Sequence, residues 1–191
     1  MKVLMVEDKY VYVARMAPEA AFADKRGRDP LEEVILATNY EEAMDGLKKA
    51  TVVYTDICIP GPEGIKNEVI KKTSQYRWAA HTSYWNEELE REEPPLGVLV
   101  FLEAKKRGIP VRFGTSLGHG AYILPALLAY NLITEDEVEK IKKIIDPRSR
   151  TADIVRVENG IVAANNIEGK KLSFYNELFL QKRYHSLKVT V

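Results

Sequence analysis

The residues best suited to chemistry in this chain are three carboxylates, each delivered at the end of a short apolar run. The stretch VVYTDICIPGPEG, Val52 to Gly64, carries Asp56 to the point where a Pro/Gly-rich loop begins. Near the start of the chain, the run Val3 to Val6 leads directly into Glu7 and Asp8. A parallel strand presents side chains in this way at the carboxyl edge of its sheet, where open α/β folds place their sites. Two such strands side by side would gather Glu7, Asp8 and Asp56 at one edge. A cluster of that kind either holds a cation or shifts its own protonation. Strand ends that merely face water explain one such acid more readily than three.

The elements that must position these acids follow from periodicity and caps. Residues from Lys9 to about Lys25 have apolar positions at helical spacing, interrupted by Pro18, and predict a first helix. A polar loop, DKRGRDP, leads to a second strand over Leu31 to Thr38. Asn39 with Glu42 three residues on is an N-cap signature for a helix through Lys49, with Ala43, Met44 and Leu47 inward. The third strand carries Asp56. This β-α-β-α-β rhythm implies a parallel sheet with right-handed crossovers.

Residues 66–95 hold many charges, both tryptophans (Trp78 and Trp85) and a closing Pro94-Pro95. They predict an insertion after the third strand, functional or partly helical. Leu96 to Arg107 is an amphipathic helix ending before Gly108, and Ile109 to Phe113 is a fourth strand. The loop GTSLGHG, Gly114 to Gly120, opens a helix from Ala121 to about Leu132. Its Thr115, Ser116, Gly118 and His119 form a candidate anion site, because glycines and hydroxyls at a helix start offer donors to a phosphate. Thr134 with Glu137 is a capping box for a helix through Ile145. Around Asn159-Gly160 lies a β-hairpin signal, the start of a β-rich extension over 147–191. The basic and aromatic residues from Lys170 onward fit a packed strand or helix better than a nucleic-acid surface.

Composition narrows the function classes. The 191 residues are 46% apolar and 29% charged, which permits a full core under a solvated surface in a single α/β domain with additions. Lys and Arg number 28 and so do Asp and Glu, so the overall field gives no pull toward nucleic acid or anionic membrane. Cys58 is the only cysteine, which excludes an intrachain disulfide and a cysteine-rich zinc site and fits a reducing compartment. The first apolar run is short and ends in two acids, unlike a secretory signal. The longest apolar stretch, Ala121 to Ile133, is broken by Pro125 and Asn131 and is too short for a membrane span. The expectation is a cytoplasmic protein. His81, His119 and His185 lie far apart, without ligand spacing. In this topology His119 would share the edge of Asp56.

Three of these stretches resemble a known family. VLMVEDK is similar to the first strand of a response-regulator receiver domain. TDICIPGPEG resembles that family's phospho-acceptor strand and loop, in register from Asp56 to Gly64. GIPVRFGTS, Gly108 to Ser116, resembles its fourth strand with a terminal hydroxyl. The resemblance covers roughly residues 1–61 and 96–116 and implies a flavodoxin-like, three-layer α/β/α fold around a parallel sheet. It implies Mg²⁺ held by Glu7, Asp8, Asp56 and the carbonyl of Cys58, with Asp56 as phospho-acceptor. Thr115 would be the switch hydroxyl, with Ser116 its neighbouring substitute, and a protein kinase or effector would be the partner. One departure is that the family's lysine, normally at the end of a fifth strand, has no assignable counterpart. That departure supports an alternative, a pseudo-receiver that binds partners without phosphorylation. A small Mg²⁺-dependent phosphotransfer or hydrolytic enzyme on a similar sheet is a further alternative.

Overall fold

Four successive residues of the first strand, β1 (Lys2–Val6), are buried: Val3, Leu4, Met5 and Val6. Neighbouring residues of a strand point to opposite faces, so this pattern requires cover on both sides of the sheet and a strand near its centre. The computed structural model, whose described residues are 2–8, 33–80, 94–116, 123–144, 154–156 and 161–164, has that arrangement. β2 (Glu33–Ala37) and β3 (Val52–Thr55) pair with β1 in parallel on its two sides. β4 (Val111–Ser116) continues the parallel set beside β3. A hairpin of β5 (Ile154–Arg156) and β6 (Ile161–Ala164) completes the order β2-β1-β3-β4-β6-β5, with β6 parallel to β4 and β5 antiparallel at the edge.

Helices alternate with the strands. α1 (Tyr40–Gly46) and α3 (Gly97–Lys106) pack against the sheet and against each other. α2 (Glu63–Thr73), the 3-10 segment Ser74–Ala79 and α4 (Ile123–Ala129) pack together, and α5 (Glu135–Ile144) follows. Their apolar residues join one buried cluster with the strands. The Phe101 and Phe113 rings stack at 4.2 Å between centroids and 11° between planes, fixing α3 on β4. No helix among the described residues is long and apolar enough to cross a membrane.

The caps read from sequence form as hydrogen bonds. Asn39 Oδ1 accepts from the Glu42 amide at 2.9 Å, while the Glu42 carboxylate accepts from the Thr38 amide at 2.7 Å and hydroxyl at 3.0 Å. Before α5, the Glu137 carboxylate accepts from the Thr134 amide at 2.7 Å and the Thr134 hydroxyl accepts from the Glu137 amide at 3.3 Å. α4 stops where Asn131 adopts φ 55°, with the Leu132 amide reaching back to the Leu127 carbonyl at 2.8 Å. Asparagine tolerates that left-handed position better than most residues.

Several expectations are corrected. α2 starts at Glu63 and runs into the stretch read as an insertion over 66–95; Val69 and Thr73 of this helix are buried and Ile65 packs against the core, a narrow stripe at four-residue spacing set among charged residues. The part of that stretch over 81–93, with Trp85, lies outside the described residues. β4 runs to Ser116 rather than stopping at Phe113, because β6 supplies backbone partners for Gly114, Thr115 and Ser116. The hairpin is therefore the next part of the main sheet. α1 ends at Gly46, and the chain tightens through Lys48 and Lys49 amides that bond three residues back. The helix expected over 9–25 and the tail beyond 164 lie outside the described residues.

The Thr38 amide and hydroxyl, followed by Asn39, hold the Glu42 carboxyl below the usual glutamate range. A lowered folded-state value stabilises the fold above the ordinary range and loses that contribution as pH falls through the lower value. Glu42→Gln is expected to cost about 0.5–1 kcal/mol at neutral pH, the size of a typical cap contribution. Urea titrations should show the gap between wild type and variant closing below about pH 4, where the unfolded glutamate is protonated. A gap constant with pH would contradict the cap's electrostatic role.

Candidate metal centre

The parallel ladder continues one residue past each strand and thereby sets the acids. The Glu7 amide donates to the Ala37 carbonyl at 2.9 Å, and the Asp56 amide donates to the Val6 carbonyl at 2.9 Å. Since Val6 pairs with Thr55, Glu7 and Asp56 emerge side by side from β1 and β3. One ligand oxygen from each of Glu7, Asp8 and Asp56 lies within 4.8 Å of the others. The convergence of the three acids expected from the two apolar runs is thus present, as a group that could hold a metal ion. It lies between β1 and β3, where the connections leave the sheet in opposite directions. That topological switch point is where open α/β sheets form their crevice.

Glu7 and Asp56 are only 7% and 9% exposed, and Asp8 is half-buried. Two ionised carboxylates at a separation of 4.8 Å, the outer limit within this cluster, would repel by roughly 3–4 kcal/mol at an effective dielectric constant of about 20. A cation entering the cluster would offset such repulsion. The donor set suits a hard ion, being made of oxygens alone. Ligands on opposite sides of Mg²⁺ stand about 4.2 Å apart, each about 2.1 Å from the ion, so these carboxylates can reach one Mg²⁺ with small adjustments.

The loop after Asp56 is gripped from two sides. On one side, the Tyr40 amide donates to the Pro60 carbonyl at 2.8 Å, and Gly61 packs so close to Tyr40 and Leu96 that a Cβ there would lie 2.8 Å and 2.5 Å from their side chains. On the other, the Ile59 amide donates to the Pro94 carbonyl at 3.2 Å and the Gly97 amide to the Ile57 carbonyl at 2.9 Å. Cys58 sits in this loop, partly buried against the core. Within Asp56 itself, Oδ1 accepts from the Ile57 amide at 2.7 Å.

Thr115 and Ser116 end β4, the strand next to β3. Thr55 pairs with Phe113, so Thr115 lies two residues beyond that level and shares the carboxyl edge with Asp56. Gly118 and His119 lie outside the described residues. Sequence reasoning missed Thr55 and Gly97. The detectable signal was a glycine directly after Pro94-Pro95-Leu96, at a helix start facing the acidic loop. A comparison with protein-family models, curated proteins and solved structures returns no match.

Two outcomes follow from this geometry. A Cβ on Gly97 would fall 1.8 Å from the Asp56 carbonyl oxygen, backbone that cannot swing aside. Gly97→Ala should therefore destabilise by about 3 kcal/mol or more, whereas Gly64→Ala, with open space around it, should be neutral or stabilise by up to about 1 kcal/mol. Equal thermal midpoints for the two variants would contradict the close contact. Separately, Mg²⁺ should raise the unfolding midpoint of the wild type, by the equivalent of about 2.7 kcal/mol at 100 times Kd. Asp8→Asn should weaken binding at least tenfold in calorimetry, and identical titrations for both proteins would contradict a three-acid centre.

Proposed function

We propose that this chain is a receiver-like regulatory protein that binds Mg²⁺ at Glu7, Asp8 and Asp56 and uses Asp56 as phospho-acceptor. The observation carrying this reading is the convergence of the three acids within 4.8 Å at the carboxyl ends of β1 and β3. The strand order supports it: β2-β1-β3-β4-β6 reads as the flavodoxin-like order 2-1-3-4-5, with β6 in fifth place. Helices α4 and α5 lengthen the connection to that fifth strand.

In this reading Glu7, Asp8 and the Cys58 carbonyl join Asp56 in holding the ion. Bound Mg²⁺ would neutralise charge on the transferring phosphoryl oxygens. Asp56 would attack phosphorus through a carboxylate oxygen, and the donor's leaving oxygen would depart with the electron pair of the broken bond. Thr115, with Ser116 beside it, would offer a hydroxyl to the new acyl phosphate. The partner would be a protein, a kinase upstream or an effector downstream.

The missing lysine bears on how far the chemistry runs. With β6 as the fifth strand, the family's cation would stand near Ala164, but the chain there continues Asn165-Asn166. An acyl phosphate without its ammonium lacks a charge-assisted hydrogen bond worth about 1.5–3 kcal/mol. This favours, as a second reading, a platform that binds partners without being phosphorylated.

Incubation with Mg²⁺ and acetyl phosphate should label Asp56 slowly and below stoichiometry, as an acid-stable, base-labile group absent from Asp56→Asn. Complete absence of label in a protein that binds Mg²⁺ would favour the platform. Rapid stoichiometric labelling would contradict the consequence drawn from the missing lysine.

A further inference from the structure

Asp56 is followed by a peptide group whose N–H bonds the Asp56 carboxylate and whose carbonyl is held by Thr55 and Gly97, neither of them in the proposed ligand set. The Ile57 amide of this peptide donates to Asp56 Oδ1 at 2.7 Å. Its carbonyl, that of Asp56, accepts from the Thr55 hydroxyl at 2.8 Å and abuts Gly97 so closely that no Cβ could stand there. Thr55 is fully buried, on a strand whose neighbouring positions Val52 and Val53 carry apolar β-branched residues. A buried hydroxyl is costly unless it is hydrogen-bonded, and here its bond is spent on the one peptide whose N–H orients the acidic side chain.

We infer that Thr55 is a positioning residue for the metal centre, its hydroxyl fixing the Asp56–Ile57 peptide so that the Ile57 N–H sets the rotation of the Asp56 carboxylate. Anchoring Oδ1 restricts rotation about the Cβ–Cγ bond and so fixes where Oδ2 stands relative to Glu7 and Asp8. Gly97 closes the same peptide from the opposite side. The Gly97 amide also holds the next carbonyl, that of Ile57, at 2.9 Å. A carboxylate turned in advance loses less rotational freedom when a cation arrives, which raises affinity without any new contact. The inference rests on the metal-centre reading for its functional consequence, whereas the peptide lock itself is a property of the metal-free protein.

The test compares Thr55→Val, which keeps the shape and removes the hydroxyl, with Thr55→Ser, which keeps the hydroxyl. In the metal-free full-length protein, Thr55→Val should shift the Ile57 amide proton upfield and speed its hydrogen exchange about tenfold, while Thr55→Ser restores both. Calorimetry with Mg²⁺ alone should show about tenfold weaker binding for Thr55→Val, equivalent to one hydrogen bond, and near-wild-type binding for Thr55→Ser. Should Thr55→Val fail to fold, Thr55→Ser against Thr55→Ala carries the same comparison. An unchanged Ile57 amide in the hydroxyl-free variant would overturn the inference whatever the metal data show. Absence of Mg²⁺ binding in the wild type would instead sink the metal-centre reading, with the Ile57 amide still deciding the role of Thr55.

Discussion

The bond from the Asp56 amide to the Val6 carbonyl, 2.9 Å long, is the constraint on which the site depends. It extends the β1–β3 ladder beyond the last paired residues and fixes the level at which two strands release their acids. A one-residue slip in this register would turn Asp56 toward the opposite face of the sheet. Burial prevents the slip: Val3 to Val6 and Val53 to Thr55 are buried on both faces, so every alternative register would move these residues out of well-packed positions.

That core in turn explains why charges can stand so close at its rim. Carboxylates buried as deeply as Glu7 and Asp56 are expensive without compensation, and the ladder sets their backbones side by side. A hard cation at this edge would add to whatever compensation the surrounding groups supply. Clamps from Tyr40 on one side and Pro94–Gly97 on the other hold the Ile57–Gly61 loop against the core. Such preorganisation would let a strongly hydrated ion such as Mg²⁺, which gives up water reluctantly, find its protein ligands already placed.

Much of this was legible in the sequence, for physical reasons. Central parallel strands are unbroken apolar runs, so β1 and β3 announced themselves and their terminal acids could be named. Asn39/Glu42 and Thr134/Glu137 marked helix starts because capping is local chemistry. α2 was hard to read: its inward stripe is only Ile65, Val69 and Thr73, set among charged residues that mask the period. Nor was the true end of β4, since the partner that extends it, β6, lies some forty-five residues on and long-range pairing has no local signature. Thr55 and Gly97 escaped notice for a related reason, as their roles exist only where β3 and the start of α3 meet in space.

The claim that Glu7, Asp8 and Asp56 form one cation site is tested most directly by titrating the isotope-labelled protein with Mn²⁺, a paramagnetic ion of similar ligand preference, and following amide resonances. The account predicts that Glu7, Asp8, Asp56 and Ile57 broaden first and together, and that excess Mg²⁺ restores them. Broadening that begins instead at the acidic first turn of α5, Glu135 to Glu137, or that spreads uniformly over the surface, would contradict it.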